Sequence, residues 1–336
     1  MRPALRSAMI SGTDESTDVV CEGTAASAGL EDDEAGLAEV AMRKSNLLRR
    51  SGYFKPPSAL RANAARGDNG QYALCGDNSG LNRHCYALSP DMSELLISEQ
   101  NGYRTLHFGS EWVQGRMRIS KPAELILGYA QDMCAGMLFA PPPKHVYVAG
   151  LGVGSLPRWG IANWAESLKR MEIVELRADV MALTRSAFPI PQDDERVVLT
   201  LGDAAKVITE RPASSVDWMW VDCYDGRGRV GALESAEFYA AAHAALKAKG
   251  VFVANMWSSV TRYRGGLRRL RAAFGDNNIV LLPAIATENV TVIACKSPLP
   301  DLASRALQAR ARALHAEYKL PFERWLKAIV PVSTAL

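Results

Sequence analysis

The sequence has no run of about 18 consecutive apolar residues, the length that a transmembrane helix needs, so it predicts no membrane span. Its net charge of +3 is too small to indicate a nucleic-acid partner. The six cysteines are scattered without a Cys-x-x-Cys spacing, which argues against a metal site and a disulfide framework. We therefore expect no bound metal, no membrane and no nucleic acid, and a reducing, cytoplasmic setting. The basic cluster Arg268, Arg269 and Arg271 is interpreted as a solvated helix face, with a phosphate- or nucleic-acid-binding patch as the alternative.

What remains is an ordinary globular composition, with 336 residues of which 48% are hydrophobic and 22% charged. Residues 1–90 differ from the rest, because Ser, Thr, Gly, Ala and acidic residues dominate their first part and no sustained periodicity follows. We predict a disordered or loosely packed extension there. A small β-hairpin unit over 91–120, a main domain over 121–300 and a helical tail over 301–336 are predicted to follow.

The hairpin unit rests on Asn101-Gly102, which separates two strand-like runs at 95–100 and 103–108. Asn-Gly between two such runs is a strong signal for a type I′ turn. A third strand near 114–119 completes a small antiparallel unit.

A helix is predicted to follow this unit, because Pro122 suits the first turn of a helix. Residues then recur at spacings of four on one helical face: Leu125, Tyr129, Met133 and Met137. The three prolines 141–143 end this helix.

From residue 145 onward, strand and helix patterns alternate, as in a parallel sheet covered by helices on both faces. The predicted strands are 145–149, 171–175, 196–201, 217–222 and 250–255, with a closing hairpin near 278–282 and 289–295. The helix before the strand at 250 is predicted from Glu237 to Lys249, ended by Gly250. The tail at 302–328 is predicted to be helical, with a break at Pro321.

The run Val146–Gly154 enters a glycine-rich turn from an apolar strand. Gly150, Gly152 and Gly154 would let the backbone approach a nucleoside where no side chain could fit. A tight turn without a ligand is the alternative. The predicted fold class is α/β, a doubly wound, Rossmann-like sheet of the methyltransferase type, preceded by a small antiparallel β unit.

Three acidic strand ends follow the glycine turn, and ligands of such sheets bind beyond the carboxyl ends of the strands. Glu175 could accept both ribose hydroxyls. Asp203, which precedes Ala204, could accept from an adenine amino group, cap the following helix, or do both. Asp222 and Asp225 could face one cavity, where paired acids can hold an amine and one can act as a base. An ordinary surface or turn carboxylate is the alternative at each position.

Other candidates are weaker. Tyr224, between the two aspartates, could form a cavity wall or merely pack. Tyr129 could reach the same cavity or belong to the core, since it lies on the helical stripe. Gln114 and Glu124 are weaker still.

These features resemble the spermidine synthases, or polyamine aminopropyltransferases, over roughly residues 94–298. The resemblance rests on the small β unit, the motif Tyr129–Met133, the glycine turn and the acidic strand ends. Ser235–Tyr239, leading into residues 246–253, reinforces it. The spacing from Gln114 to Met133 is more similar to the divergent, spermidine synthase-like branch than to the core enzymes.

The resemblance implies transfer of an aminopropyl group from decarboxylated S-adenosylmethionine to a di- or polyamine, with release of methylthioadenosine. The donor would be a co-substrate rather than a tightly bound cofactor, and Asp222 would be the base. The residues implied to hold the donor are Gly150, Gly152, Gly154, Glu175, Asp203 and Ala204. Those expected to hold the amine are Asp225, Tyr129, Gln114 and Tyr224. A homodimer is expected only by family analogy.

The sequence departs from the family pattern at two places. Val153 stands where the family's turn usually carries Asp, which leaves the donor open between decarboxylated S-adenosylmethionine and S-adenosylmethionine, and the activity itself open. Asp222–Gly226 lacks the usual Asp-Ser-(Ser/Thr)-Asp-Pro run, which leaves the acceptor amine open. A methyltransferase that uses S-adenosylmethionine and a non-catalytic nucleoside-binding relative are the alternatives.

Overall fold

The structure, a computed structural model, describes residues 95–108, 113–191, 194–223, 231–258, 263–284 and 287–334, together with three short strands nearer the amino terminus. These strands, β1 (Ala64–Arg66), β2 (Tyr72–Cys75) and β3 (His84–Ala87), form an antiparallel sheet. They fall within the segment for which the sequence predicts an extension. The rest of that prediction lies outside the described residues.

The small antiparallel unit forms as predicted, from β4 (Leu95–Gln100), β5 (Tyr103–Phe108) and β6 (Val113–Arg118). Asn101 has φ of 53° and Gly102 has φ of 77°, and a type I′ turn requires positive values at both positions. The inner face of this sheet contributes Leu95, Ile97, Leu106 and Met117 to a buried apolar cluster. Val153 of the glycine turn belongs to the same cluster, so the small sheet packs against that turn.

The single helix predicted from Pro122 is wrong. The structure has a short helix α1 (Gly128–Asp132) and a separate 3-10 turn (Ala135–Leu138). Leu127 has extended backbone. The side-chain amide of Gln131 donates to the Leu125 carbonyl oxygen at 2.7 Å and so occupies an acceptor that a continuous helix would use. The apolar stripe stays buried although the helix is broken, because packing against the main sheet does not require one continuous helix.

The main sheet has eight strands in the order β14-β12-β13-β11-β10-β7-β8-β9. Strands β7 to β11 are parallel, whereas β12, β13 and β14 join antiparallel. The strands are β7 (His145–Ala149), β8 (Arg170–Glu175), β9 (Val197–Leu201), β10 (Val216–Val221), β11 (Leu246–Trp257), β12 (Ile279–Pro283), β13 (Asn289–Cys295) and β14 (Val330–Pro331). The chain reverses its direction across the sheet between β7 and β10, which is where ligands of doubly wound sheets bind.

Helices cover both faces of this sheet, so its central strands are buried on both sides. They are α2 (Ser155–Asn163), α3 (Ala178–Ala187), α4 (Ala204–Val207), α5 (Ala236–Ala245), α6 (Tyr263–Phe274), α7 (Arg305–Tyr318) and α8 (Phe322–Ala328). The predicted α/β class, strand sequence and closing hairpin are confirmed, as is the break at Pro321 between α7 and α8. No helix within the described ranges is long and apolar enough to span a membrane.

One helix boundary differs from the prediction. Helix α5 ends at Ala245 rather than Lys249, because Leu246 pairs with Val216 of β10 and is fully buried. Lys247 then bonds Asp217 of β10 through its Nζ atom, 2.9 Å from Oδ2. Strand pairing and burial therefore override the helix propensity of this Ala- and Lys-rich run.

The C-terminal helices are tied to α1 by a polar contact in an apolar setting. The indole Nε1 of Trp325 donates to Asp132 Oδ1 at 2.7 Å, and Trp325 is fully buried. Burial raises the pKa of Asp132 to about 6, against the opposing effects of the Trp325 bond and the Arg324 charge. The contribution of Asp132 to stability is therefore complete below the carboxyl's usual pKa of 3.8 and is lost as the pH rises through about 6.

Asp132→Asn should remove the loss of stability that Asp132 causes as the pH rises. The asparagine oxygen still accepts from Trp325 but carries no charge. We expect the variant to gain on the order of 1 kcal/mol over the parent protein near neutral pH, and the difference to vanish in acid. Urea unfolding across a pH series measures it. Asp179→Asn is the control, and its effect on stability near neutral pH should have the opposite sign. Hydrogen bonding to Arg177 lowers the pKa of Asp179, so its ionised form is the stabilising one. Parallel pH profiles for Asp132→Asn and the parent would contradict the interpretation.

Candidate active site

The glycine turn joins β7 to α2 at the point where the strand order reverses. Gly150, Gly152 and Gly154 have φ values of 92°, 50° and 70°, all in the left-handed region that favours glycine. A Cβ atom on Gly150 would overlap the carbonyl oxygen of Asp222 and lie 2.7 Å from Cys223 Sγ. A Cβ atom on Gly152 would meet nothing within 4 Å. The turn is thus tight against the end of β10 at Gly150 and open at Gly152.

Glu175 ends β8 and holds the turn from beneath. Its side chain is 8% exposed, and both carboxylate oxygens accept backbone N–H groups: Oε2 from Leu151 at 2.8 Å and Oε1 from Arg177 at 2.9 Å. A carboxylate has about four acceptor positions. Capacity therefore remains on each oxygen for a further donor such as a hydroxyl group.

Asp203 caps helix α4, since its Oδ1 accepts from the Ala205 amide at 2.9 Å. This was one of the two predicted roles, and it leaves Oδ2 available for the other. Two leucines beside these acidic residues are unusually exposed, Leu176 at 71% and Leu201 at 55%. Leu201 pairs with Glu175 across β8 and β9. The acidic strand ends therefore lie next to apolar surface.

Asp222 follows β10 and lies in the most closely connected part of the site. Asn255 donates from Nδ2 to Asp222 Oδ1 at 3.1 Å, and the Tyr129 hydroxyl bonds the same carboxylate. Burial raises the pKa of Asp222, while these two hydrogen bonds act in the opposite direction. Burial and then the Asp222 charge raise the pKa of Tyr129 well above its usual value. Tyr129 therefore stays protonated and donates to the carboxylate, in addition to packing against the core.

Asn255 was not identified from the sequence. It lies on β11, is 6% exposed, and is the polar residue in the otherwise apolar run Val251–Met256. That interruption near the carboxyl end of a buried strand is the signal that could have revealed it. The neighbouring Cys223 thiol is a further part of the site, with a pKa raised by burial and then by Glu175.

The other predicted residues either lie outside the described residues or make no described hydrogen bond to Asp222. Tyr224 and Asp225 lie outside the described residues. Gln114 lies on β6 at an irregularity of the strand pairing, because Leu106 pairs with Gly115 and His107 with Val113, so Gln114 has no partner on β5. Glu124 forms an ion pair with Arg118, with Oε2 3.0 Å from Nε. The roles of Gln114, Tyr224 and Asp225 stay predictions.

Gly115 makes the closest approach of the small sheet to the glycine turn. A Cβ atom there would lie 2.5 Å from Val153 Cγ2, so only glycine admits the valine side chain. Val153 itself is buried among apolar residues, including Leu106 and Met117. The turn therefore has an apolar side chain facing the small sheet. In the part of the chain that the structure covers, no group of three His, Cys, Asp or Glu residues is arranged to hold a metal ion.

The fold and site define an α/β protein with a glycine-rich turn after the first parallel strand and a buried carboxylate beside it. Residues 131–296 match the family model of the spermine/spermidine synthase domain. The chain is 33% identical over 252 residues to a polyamine aminopropyltransferase of Neisseria meningitidis serogroup B, covering 74% of this chain and 94% of the relative. It is 32% identical over 239 residues to that of Chromobacterium violaceum, covering 71% and 90%. The chain belongs to the spermidine synthase family.

Solved structures show the same fold. A probable spermidine synthase from Corynebacterium glutamicum superposes with a TM-score of 0.54 at 19% identity, covering 79% of this chain and 92% of that one. Human methyltransferase-like protein 13, in complex with SAH, gives 0.50 at 21% identity, covering 60% and 93%. At these identities the likeness concerns the fold alone, and it confirms the methyltransferase-type sheet.

Gly150→Ala tests whether the turn tolerates any side chain at its tightest point. We expect a loss of about 2–4 kcal/mol of unfolding free energy, because left-handed strain and overlap with Asp222 add together. Gly102→Ala is the control for backbone strain alone, since Gly102 has φ of 77° in its type I′ turn and a Cβ atom there meets nothing within 4 Å. Strain alone should cost it about 1–2 kcal/mol. Equal losses in urea unfolding would show that the overlap at Gly150 is relieved by movement.

Proposed function

We propose that this protein transfers an aminopropyl group from decarboxylated S-adenosylmethionine to a di- or polyamine and releases methylthioadenosine. The observation that carries the proposal is the buried Asp222 carboxylate, bonded by Tyr129 and Asn255, at the strand end beside a glycine turn anchored by Glu175. Membership of the spermidine synthase family supports the reaction type.

The donor is proposed to bind as a co-substrate at the glycine turn. Glu175 retains acceptor capacity for the ribose hydroxyls, and Oδ2 of Asp203 is proposed to accept from the adenine amino group. Gly152 has open space at its Cα atom, which suits close approach of a ligand to the backbone. The exposed Leu176 and Leu201 supply apolar surface for the base. Ala204, directly after Asp203, completes this part of the proposal.

The chemistry requires a base at Asp222. A free alkylamine has a pKa near that of lysine, about 10, and must lose a proton before it can attack. Asp222 takes this proton while the amine nitrogen bonds the aminopropyl carbon. The bond between that carbon and the sulfonium sulfur breaks, and its electron pair stays on sulfur to give neutral methylthioadenosine. A carboxylate whose pKa is raised by burial is a better proton acceptor than an exposed one.

The acceptor is proposed to be a cationic amine held by Asp225 and Tyr129, with Gln114 and Tyr224 as further contacts. Alignment of amine and donor supplies much of the remaining rate, since effective molarities of oriented groups reach about 10⁵–10⁸ M. A homodimer and a cytoplasmic setting belong to the same proposal. The free thiols Cys134, Cys223 and Cys295 are consistent with a reducing compartment.

Methyl transfer from S-adenosylmethionine is the second candidate, and Val153 favours it. The valine carries no charge and is buried against Gly115, so it offers no carboxylate to the donor's ammonium group. Mass spectrometry of the protein with each donor and a panel of amines separates the two candidates. S-adenosylhomocysteine indicates methyl transfer, whereas methylthioadenosine and an amine heavier by one aminopropyl unit indicate aminopropyl transfer. Donor binding without product would indicate a non-catalytic relative.

Asp222→Asn should lower amine-dependent release of methylthioadenosine by about 10²–10⁴-fold, because the amide cannot take the proton. Donor affinity, measured by calorimetry, should change little. Asp217→Asn is the matched control. Asp217 lies near the start of β10, at the other end of the strand from Asp222, and forms an ion pair with Lys247. It should keep its turnover. The proposal fails if Asp222→Asn turns over like the parent protein.

Glu175→Gln should weaken donor binding by about 10-fold or more, because charge-assisted hydrogen bonds to the ribose are lost. The KM for the amine should stay nearly constant. Glu172→Gln controls for burial, since Glu172 lies on the same strand, is buried, and pairs with Arg211. An equal loss of donor affinity in both variants would mean that the effect comes from strand β8 rather than from contact with the donor.

A further inference from the structure

Asn255 occupies a position that packing alone does not explain. The residues around it on β11, from Val251 to Met256, are apolar and buried. Burying an amide costs about 1–3 kcal/mol when a polar atom is left without a hydrogen bond. The Oδ1 atom of Asn255 is buried and has no hydrogen-bond partner among the described residues. An apolar residue would therefore suit the core better, and what distinguishes Asn255 is its bond to Asp222.

The geometry of that bond is set by two neighbouring strands. Strand β11 runs parallel to β10, with Ala254 opposite Val221, so Asn255 and Asp222 each follow this pair by one residue. The Nδ2–Oδ1 distance is 3.1 Å. Because both residues are attached to strands with fixed register, the amide constrains the rotation of the carboxylate.

The structure assigns Asn255 as a positioning residue for Asp222: its amide N–H orients the Asp222 carboxylate. A base must be ionised before it can take a proton. Donation of a hydrogen bond to the ionised form stabilises it, whereas a second carboxylate at the same position would destabilise it. This inference rests on the proposed role of Asp222 as the base.

The other titratable groups near Asp222 do not interfere with this assignment. Tyr129 faces it from α1, and Cys223 is its neighbour in the chain. Burial raises the pKa of both groups well above their usual values, so neither changes charge where a carboxylate titrates. Glu175 and Asp203 act on Cys223 from the ends of β8 and β9. They remain in place in every variant described below.

The test is the pH dependence of kcat/KM for the amine in three variants at position 255. Asn255→Leu removes the donor at similar volume, and its acid limb should move to higher pH by about one unit. Asn255→Asp places a second carboxylate beside Asp222, and the acid limb of its pH profile should move to higher pH than that of Asn255→Leu. Asn255→Gln keeps an amide and should lie closer to the parent protein. Donor affinity should be nearly unchanged in all three.

Thr291→Val is the matched control. Thr291 lies directly opposite Asn255 on β13 and is buried, so its replacement alters a polar group in the same layer of the core. Its acid limb should stay at the position of the parent protein. A uniform fall in rate for Asn255→Leu, with the acid limb unmoved, overturns the assignment and indicates a merely structural role. An active Asp222→Asn variant would instead overturn the proposed function, so the two failures are distinguishable.

Discussion

The site depends on one interaction, the acceptance of the Leu151 amide by the buried carboxylate of Glu175. This bond joins the glycine turn after β7 to the end of β8, and the Gly150 amide adds a second link through the Val174 carbonyl oxygen at 2.9 Å. With the turn held there, Gly150 packs against the Asp222 carbonyl oxygen at the end of β10. These contacts fix the ends of β7, β8 and β10 relative to each other, and each of them involves the backbone of the glycine turn.

The other side of the turn is fixed by apolar packing. Gly115 of the small sheet leaves space for Val153, and the Cys223 side chain, which follows β10, lies against Gly150. Arg158 reinforces this arrangement, since its buried guanidinium donates to the Val153 carbonyl oxygen at 2.5 Å and to the Pro122 carbonyl oxygen at 2.9 Å. The small sheet is thus part of the support of the turn, although its strands belong to a separate antiparallel unit.

The sequence predicts those features that depend on local chemistry. The Asn101-Gly102 turn and the parallel strands follow from residue type and periodicity, and the structure confirms them. The break of the helix before Gly128 and the early start of β11 depend on contacts with distant residues. Asn255 was missed for the same reason, because its significance lies in the register of β10 against β11 rather than in any local pattern.

Burial around Asp222 acts on a hydrogen-bond acceptor and on a hydrogen-bond donor. Removal from water raises the pKa of the carboxylate, which strengthens it as a proton acceptor, and also raises that of Tyr129, which keeps the phenol a donor. A neutral amide and a neutral phenol can orient a carboxylate without adding a charge of their own. A cation such as lysine at either position would hold Asp222 ionised more strongly but would repel a cationic amine. Neutral donors are therefore compatible with both the proposed ionised base and the proposed cationic substrate in the same buried site.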